Sequence, residues 1–363
     1  MVYPETFTGF QAQAPAKPED LVFQKTEYKP KPFESKDIDI LISACGICGS
    51  DLHTISGGWG PQKFPLCVGH EIVGTAIKVG KDVTLIKEGQ RVGVGAQMWS
   101  CLDCKQCKND NETYCRQQVD TYGAVFPGTE TVTQGGYASH IRVHEHWVFP
   151  IPDKLETKLV APMLCAGVTI YSPLVRNGAG PGKKVGIVGL GGIGHFGLLF
   201  SKALGAETWV ISRSHAKEED AKKMGADGFL ATKDERWNEE HKMTFDLIVN
   251  TANSMENFDM SAYLSLLDVH GKFISVGLPE GSGAEIRAQD LLTNGCMIGA
   301  SHLGSRREML EMLDLAAEKD IKPWVEEVRI GEQNLKKSMR RLSDADVRYR
   351  FCLTGFEEEF KDC

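Results

Sequence analysis

The rhythm of apolar and polar residues changes near residue 150. Before it, D-I-D-I-L-I-S-A at 37–44, E-I-V-G-T-A-I-K-V-G at 71–80 and G-Q-R-V-G-V-G-A-Q at 89–97 set β-branched residues in short runs between glycines and prolines. That spacing, sustained from Leu21 to about Val148, predicts short strands in an all-β, barrel-like domain. After P-I-P-D-K, the run L-V-A-P-M-L-C-A-G-V-T-I-Y-S-P-L at 159–174 reads as an apolar helix. Strand-like runs then follow at 185–188, 208–212, 245–252, 271–279 and 296–301, and they alternate with helical ones such as A-K-E-E-D-A-K-K-M-G at 216–225. Strands separated by helices predict a doubly wound parallel sheet. From about Leu303 the chain reads helix (306–319), strand (323–330), helix and a last strand (347–353). The expected fold class is α/β, a β-rich domain plus a doubly wound one, and 363 residues suffice for two cores.

Candidate chemistry concentrates in the β-rich part. A-C-G-I-C-G-S-D-L-H at 44–53 supplies Cys45, Cys48, Ser50 and His53, and His70 and Glu71 follow a loop rich in Gly, Trp and Pro. Zn²⁺ takes thiolate and imidazole together, and a catalytic zinc keeps three protein ligands and one open position. The plain alternative is a buried Cys pair with two solvated histidines. Against it stand Ser50 and His53, a proton path beside Cys48, and Gly69, which lets the chain fold tightly before His70. Further on, Cys101, Cys104, Cys107 and Cys115 form C-x₂-C-x₂-C-x₇-C. Four thiolates close a tetrahedron around zinc and leave no open position, which is the structural arrangement. An iron–sulfur cluster calls for different spacing and usually a Pro after the last Cys.

Composition narrows the partners. Forty-one Lys and Arg against 49 Asp and Glu give a net charge of −8, and no basic cluster is long enough to track phosphates, so nucleic acid is not the expected partner. No stretch approaches the ~20 apolar residues of a membrane span. The opening M-V-Y-P-E-T-F-T-G-F has neither a basic start nor an apolar run, so a cytoplasmic protein is expected. Eleven Cys, an odd number clustered at metal-like spacing, point to metal rather than to a disulfide framework.

A third feature lies in V-G-I-V-G-L-G-G-I-G-H-F-G-L-L-F-S-K-A-L-G. Gly189, Gly191 and Gly194 form G-x-G-x-x-G between the strand run 185–188 and an amphipathic helix over 195–204. In that order the glycines serve a tight turn, close approach of a pyrophosphate and helix–strand packing, with the anion on the helix N-terminus.

Together with V-G-H-E-I-V-G, G-Q-R-V-G-V-G, C-K-N-D-N-E, Y-S-P-L-V-R-N-G and D-V-R-Y-R-F, these motifs resemble the zinc-dependent alcohol dehydrogenases of the medium-chain dehydrogenase superfamily. Within it they are most similar to the cinnamyl-alcohol-dehydrogenase branch, over nearly the whole chain. The resemblance implies a GroES-like catalytic domain at 1–156, a Rossmann nucleotide-binding domain at 157–299 and a return to the catalytic domain at 300–363, with the chemistry between the two domains. It implies two zinc ions per chain, one catalytic on Cys48, His70 and Cys165 and one structural on the four clustered Cys. Taken alone, Cys165 reads as a small buried hydrophobe. Glu71 is either a further ligand when the substrate site is empty or a carboxylate that orients a ligand. Cofactor contacts are implied for Thr169 and for Gly189, Leu190, Gly191, Gly192, Ile193 and Gly194. Ser50 would accept the alcohol proton and pass it through the cofactor ribose to His53. The family also pairs as a homodimer through its last nucleotide-domain strand, here 296–301.

An NAD enzyme carries Asp or Glu about 20 residues after the glycine motif begins, to bind the ribose 2′-hydroxyl. Here the chain reads S-R-S-H-A-K, so Ser212, Arg213 and Lys217 stand where a 2′-phosphate is received, and NADP(H) is the expected cofactor. Solvated surface charge is the other reading of Arg213 and Lys217. Trp59 reads equally as a wall for an aromatic or allylic substrate and as a core Trp. The expected activity is interconversion of primary alcohols and aldehydes, aromatic or allylic and medium-chain aliphatic, with broad specificity. A polyol or sugar dehydrogenase is the rival within the class, and a zinc-bound protein that has lost catalysis is the rival outside it.

Overall fold

The computed structural model describes residues 4–254, 258–279 and 285–363, so the first three residues of the opening read for a leader lie outside it. The chain forms two compact units, one of residues 1–165, 305–317 and 324–363, the other of 166–304 and 318–323.

The first unit is built on a seven-stranded sheet. Its path runs Val325–Arg329, Arg350–Thr354, Asp37–Ile47, Glu71–Val79, Arg91–Val94 and Phe149–Pro150, with His140–His144 pairing on Asp37–Ile47. Alternation such as D-I-D-I ordinarily marks a half-buried strand. In fact Ile38, Ile40 and Ile42 are buried, and so are Asp37 and Asp39. The carboxylates survive burial because each meets a cation: Asp37 pairs with Lys31, and Arg142 grips Asp39 with two bonds of 2.8 and 2.9 Å. A hairpin not expected from the sequence, Phe7–Ala12 with Phe23–Tyr28, precedes this sheet.

The second unit holds six parallel strands. They are ordered Gly228–Ala231, Glu207–Ser212, Lys184–Val188, Phe245–Asn250, Leu267–Ser275 and Met297–Ala300, which is 3-2-1-4-5-6 in chain order. This doubly wound topology reverses direction beside Lys184–Val188, the strand that feeds the glycine motif, and ligands bind at such switch points. Val188, Ile211, Phe245, Ile248 and Phe273 pack in its core with Tyr263. The α/β class read from the sequence is therefore borne out.

Two local readings are corrected. The apolar run 159–174 is not one helix: Thr157–Val160 passes into a 3₁₀ turn, Ala161–Leu164, and Ala166–Arg176 begins anew. Cys165 between them has non-helical dihedrals, φ −122° and ψ −73°. The helix expected over 216–225 starts as a 3₁₀ turn, His215–Lys217, before Glu218–Lys223.

Candidate functional site

Strand pairing assembles the first cluster. Gly46 stands opposite Glu71 and Cys45 opposite Ile72, so Cys48 and His70 leave the sheet at the same end. On the other side of Asp37–Ile47, Phe351 stands opposite Ile47, which brings Arg350 level with Cys48. Cys165 arrives at the end of the 3₁₀ turn. Cys48, His70, Glu71 and Cys165 are all buried, and their ligand atoms lie within 4.8 Å of one another.

The donor set fits zinc. A tetrahedral ion with Zn–S of about 2.3 Å holds two sulfurs about 3.8 Å apart. Cys48 Sγ and Cys165 Sγ are 4.0 Å apart. His70 Nε2 is buried without a hydrogen-bond partner, a costly state for a polar atom unless a ligand meets it. Cys48 is held well below the usual thiol range, first by the Cys165 thiol that donates to it and also by the nearby Arg350 guanidinium. Cys165, as donor of that bond and by burial, is pushed up. Burial works against the His70 imidazolium, but the anionic groups around it prevail and raise it to about 9. A doubly charged cation would replace these shared protons and leave both thiols as thiolates.

Three residues around the cluster were not singled out from the sequence. Asp51 is fully buried, and its Oδ2 accepts from Cys48 N–H and from Tyr137 O–H, both at 2.8 Å, while Oδ1 accepts from Gly69 N–H at 3.1 Å. One carboxylate thus fixes the backbone at Cys48 and beside His70. Arg350 donates to Glu71 Oε1, forming a buried ion pair. Burial raises Glu71 to about 8 and Arg350 opposes that rise. With Oε1 taken, Oε2 is the oxygen left over, and it has no partner. Gly46 makes room for it: a Cβ there would stand 1.9 Å from Oε2. Asp51 was within reach of sequence reasoning, because an acid three residues after an N-cap is a capping signal and Cys48 caps the helix Gly49–Ser56. Arg350 lies in the motif D-V-R-Y-R-F, but nothing local there points to Glu71.

Ser50 lies in the first turn of that helix, its Oγ 3.5 Å from Cys48 Sγ. His53, one turn on, is half-buried and stacks on Trp59 at 4.9 Å with the planes 18° apart. Trp59 is 39% exposed, which removes the core-Trp reading. The His70 ring lies flat on Tyr122, at 5.3 Å and 4°.

The second cluster is Cys101, Cys104, Cys107 and Cys115. Four of its six sulfur pairs are 3.5 to 3.9 Å apart, near the tetrahedral spacing, and all lie within 4.8 Å. Backbone N–H groups, Asp103's first, draw Cys101 down to about 6, while burial pushes Cys107 up to about 12. The lobe is tied down through Glu112, whose Oε1 accepts from Arg306 N–H at 2.6 Å at the start of helix Arg306–Glu318.

In the other unit, Gly189 has φ +86°, and a Cβ on Gly194 would stand 1.7 Å from Gly189 O. Both positions therefore demand glycine. Gly191 faces open space, the cradle a pyrophosphate needs, and helix Gly194–Ala203 follows with Ile193 as its N-cap. Leu190 and Gly192 are held within this turn: Leu190 O accepts from Lys217 Nζ at 2.7 Å, and Gly192 O lies 2.9 Å from His195 Nδ1. Thr169 is buried on Ala166–Arg176, next to Ile170, which packs on Gly197 of the motif's helix. Ser212 ends the strand Glu207–Ser212, and Arg213 after it is exposed.

Residues 34–153 match the alcohol dehydrogenase GroES-like domain and residues 192–318 the zinc-binding dehydrogenase domain. The chain is 51% identical to an NADP-dependent alcohol dehydrogenase of Saccharomyces cerevisiae over the full length of both. It is 40% identical to a probable mannitol dehydrogenase of Stylosanthes humilis over 88% of this chain and 89% of that one. Among solved structures it is similar to a cinnamyl alcohol dehydrogenase of Sorghum bicolor, with a TM-score of 0.90, 34% identity, and coverage of 96% and 97% of the two chains. The chain belongs to the zinc-binding alcohol dehydrogenases of the medium-chain superfamily.

Proposed function

We propose that Cys48, His70 and Cys165 hold the catalytic zinc of an NADP(H)-linked alcohol dehydrogenase and aldehyde reductase, and that Cys101, Cys104, Cys107 and Cys115 hold a second, structural zinc. Family membership makes the chain an oxidoreductase of alcohols and aldehydes. The observation that carries the residue roles is the buried cluster of two thiols and an unpartnered imidazole nitrogen. A zinc held there supplies Lewis-acid polarisation of a carbonyl or hydroxyl oxygen, and a bound nicotinamide supplies or accepts the hydride. Ser50 Oγ takes up or returns the substrate proton, because a hydroxyl can both donate and accept. His53, half-buried and stacked on Trp59, exchanges that proton with solvent. Asp51 and the Glu71–Arg350 pair keep the ligands aimed, with Glu71 Oε2 in reserve as a further ligand.

Residues 1–156 and 300–363 are read as the catalytic domain and 157–299 as the nucleotide-binding domain. Thr169 and the turn 189–194 receive the cofactor, and Ser212, Arg213 and Lys217 receive its 2′-phosphate. The missing acid after the second strand and the name of the yeast relative support NADP(H). One charge-assisted hydrogen bond contributes about 1.5 to 3 kcal/mol, so NADPH should be favoured over NADH by about 10- to 100-fold in kcat/KM.

Aromatic and allylic aldehydes are proposed as substrates together with medium-chain aliphatic ones, the aromatic part supported by the exposed indole of Trp59 and by the likeness to the sorghum enzyme. The Stylosanthes relative supports a polyol as the second reading. Oxidation of NADPH and of NADH with a panel running from cinnamaldehyde to a sugar separates the readings. Turnover of cinnamaldehyde with NADPH is expected, whereas sugar turnover alone would favour the polyol reading and none at all a protein without catalysis.

A cytoplasmic homodimer completes the proposal. Met297–Ala300 ends its sheet with Met297 48% exposed, an edge that needs covering, and eleven cysteines outside any disulfide suit a reducing compartment. A monomeric mass by light scattering at micromolar concentration would overturn the dimer, and cell fractionation checks the compartment.

A further inference from the structure

His215 lies between Arg213 and Lys217, in the segment proposed to receive the 2′-phosphate. Its Nδ1 is 2.6 Å from Glu218 Oε2 and its Nε2 is 2.9 Å from Asp234 Oδ2. An ionised carboxylate only accepts, so both contacts exist together only when both ring nitrogens carry hydrogen and the ring is an imidazolium. The two carboxylates belong to different elements: Glu218 opens the helix Glu218–Lys223, and Asp234 closes the turn after the strand Gly228–Ala231. That same turn holds the backbone of the phosphate residues, with Thr232 N–H on Ser212 O at 2.8 Å and Lys233 N–H on Arg213 O at 3.2 Å.

We infer that His215 is a positioning residue for cofactor selection, a protonated staple that clamps the 212–217 segment between Glu218 and Asp234 and slackens when it loses its proton. This rests on the reading of Ser212, Arg213 and Lys217 as 2′-phosphate ligands. Losing the proton has two consequences. One of the two contacts becomes a lone pair facing a carboxylate, and two negative charges beside the phosphate position lose the cation between them. The charged groups around the ring are Glu218, whose other oxygen takes Lys222 at 2.8 Å, Asp234, and the chain neighbours Arg213, Lys217 and Lys233. The ring itself leans on Phe229, at 6.0 Å.

The pH sign follows from the carboxylates. Glu218 and then Asp234 raise His215 above its ordinary value, so the staple is complete below about pH 6.5 and is lost as pH rises through the raised value. The 2′-phosphate gains negative charge on rising through about pH 6, which strengthens its binding, so the phosphate alone would move NADPH affinity the other way.

The test is the ratio of dissociation constants for NADH and NADPH, measured by nicotinamide fluorescence from pH 6 to 9 on the full-length, zinc-loaded protein. Taking the ratio cancels groups that act on the shared part of the cofactor. In the unmutated protein the preference for NADPH should fall by about two- to five-fold above neutral pH, the scale of an exposed ion pair. In His215→Ala and His215→Gln, preference should start lower and show no such fall. A flat ratio in the unmutated protein, or an unchanged fall in His215→Ala, overturns the inference. Arg213→Ala separates it from the reading beneath: full NADPH preference in that variant sinks the phosphate assignment itself, whereas lost preference with an unchanged pH profile in His215→Ala sinks only the role of His215.

Discussion

Ser50→Ala is expected to lower the turnover rate by about 10² to 10⁴, the range for losing a positioned proton acceptor. The hydroxyl sits in the first turn of Gly49–Ser56, beside the Cys48 sulfur, on a helix fixed at its start by Asp51 and ended by Gly57 at φ +77°. The methyl of alanine keeps that helix and its capping, so folding and zinc content should not change. The loss should appear in kcat with either cofactor, because the proton must move whichever nicotinamide carries the hydride. Steady-state kinetics together with zinc content tests this, and a variant that turns over normally would mean that the proton leaves by another route.

Cys107→Ala should behave in the opposite way, with stability lost first and chemistry spared in molecules that remain folded. Three sulfurs and a methyl no longer close a tetrahedron, and a structural zinc contributes its binding energy directly to folding. The damage should extend beyond the lobe. Glu112, between Cys107 and Cys115, accepts from Arg306 N–H, and Arg306 Nη1 in turn donates to the carbonyls of Glu145, His146 and Val148. Loss of a metal held there would therefore loosen the start of Arg306–Glu318 as well. Thermal melts and activity per folded molecule check it. If Cys107→Ala kept its melting temperature and lost turnover while Cys48→Ala did the reverse, the two sites would have been swapped.

The candidate site was legible in the sequence wherever its parts lie close along the chain. The clustered thiols, the glycine turn, and Ser50 with His53 all fall within runs of a few residues, and short motifs record local geometry. Cys165 was less legible. Its place depends on a helix broken by a 3₁₀ turn, and an apolar run shows no period that marks the break. Arg350 falls within the motif D-V-R-Y-R-F, but its role was not legible. It reaches Glu71 because the last strand pairs antiparallel to Asp37–Ile47, a contact across 279 positions that no local pattern carries. The same limit hid the N-terminal hairpin, where both faces of Phe7–Ala12 are largely buried and strict alternation fails. Gly228–Ala231 escaped for another reason: four residues are too few to show a period.

The proposed function requires two metal sites of different kind, one on Cys48, His70 and Cys165 that leaves a position open and one closed by the four thiolates of Cys101, Cys104, Cys107 and Cys115. Elemental analysis of the purified protein and of Cys48→Ala tests this most directly. Two zinc ions per chain are predicted in the unmutated protein and one in the variant, which should stay folded and inactive. One zinc in the unmutated protein, iron in either site, or an unchanged count in Cys48→Ala would contradict it.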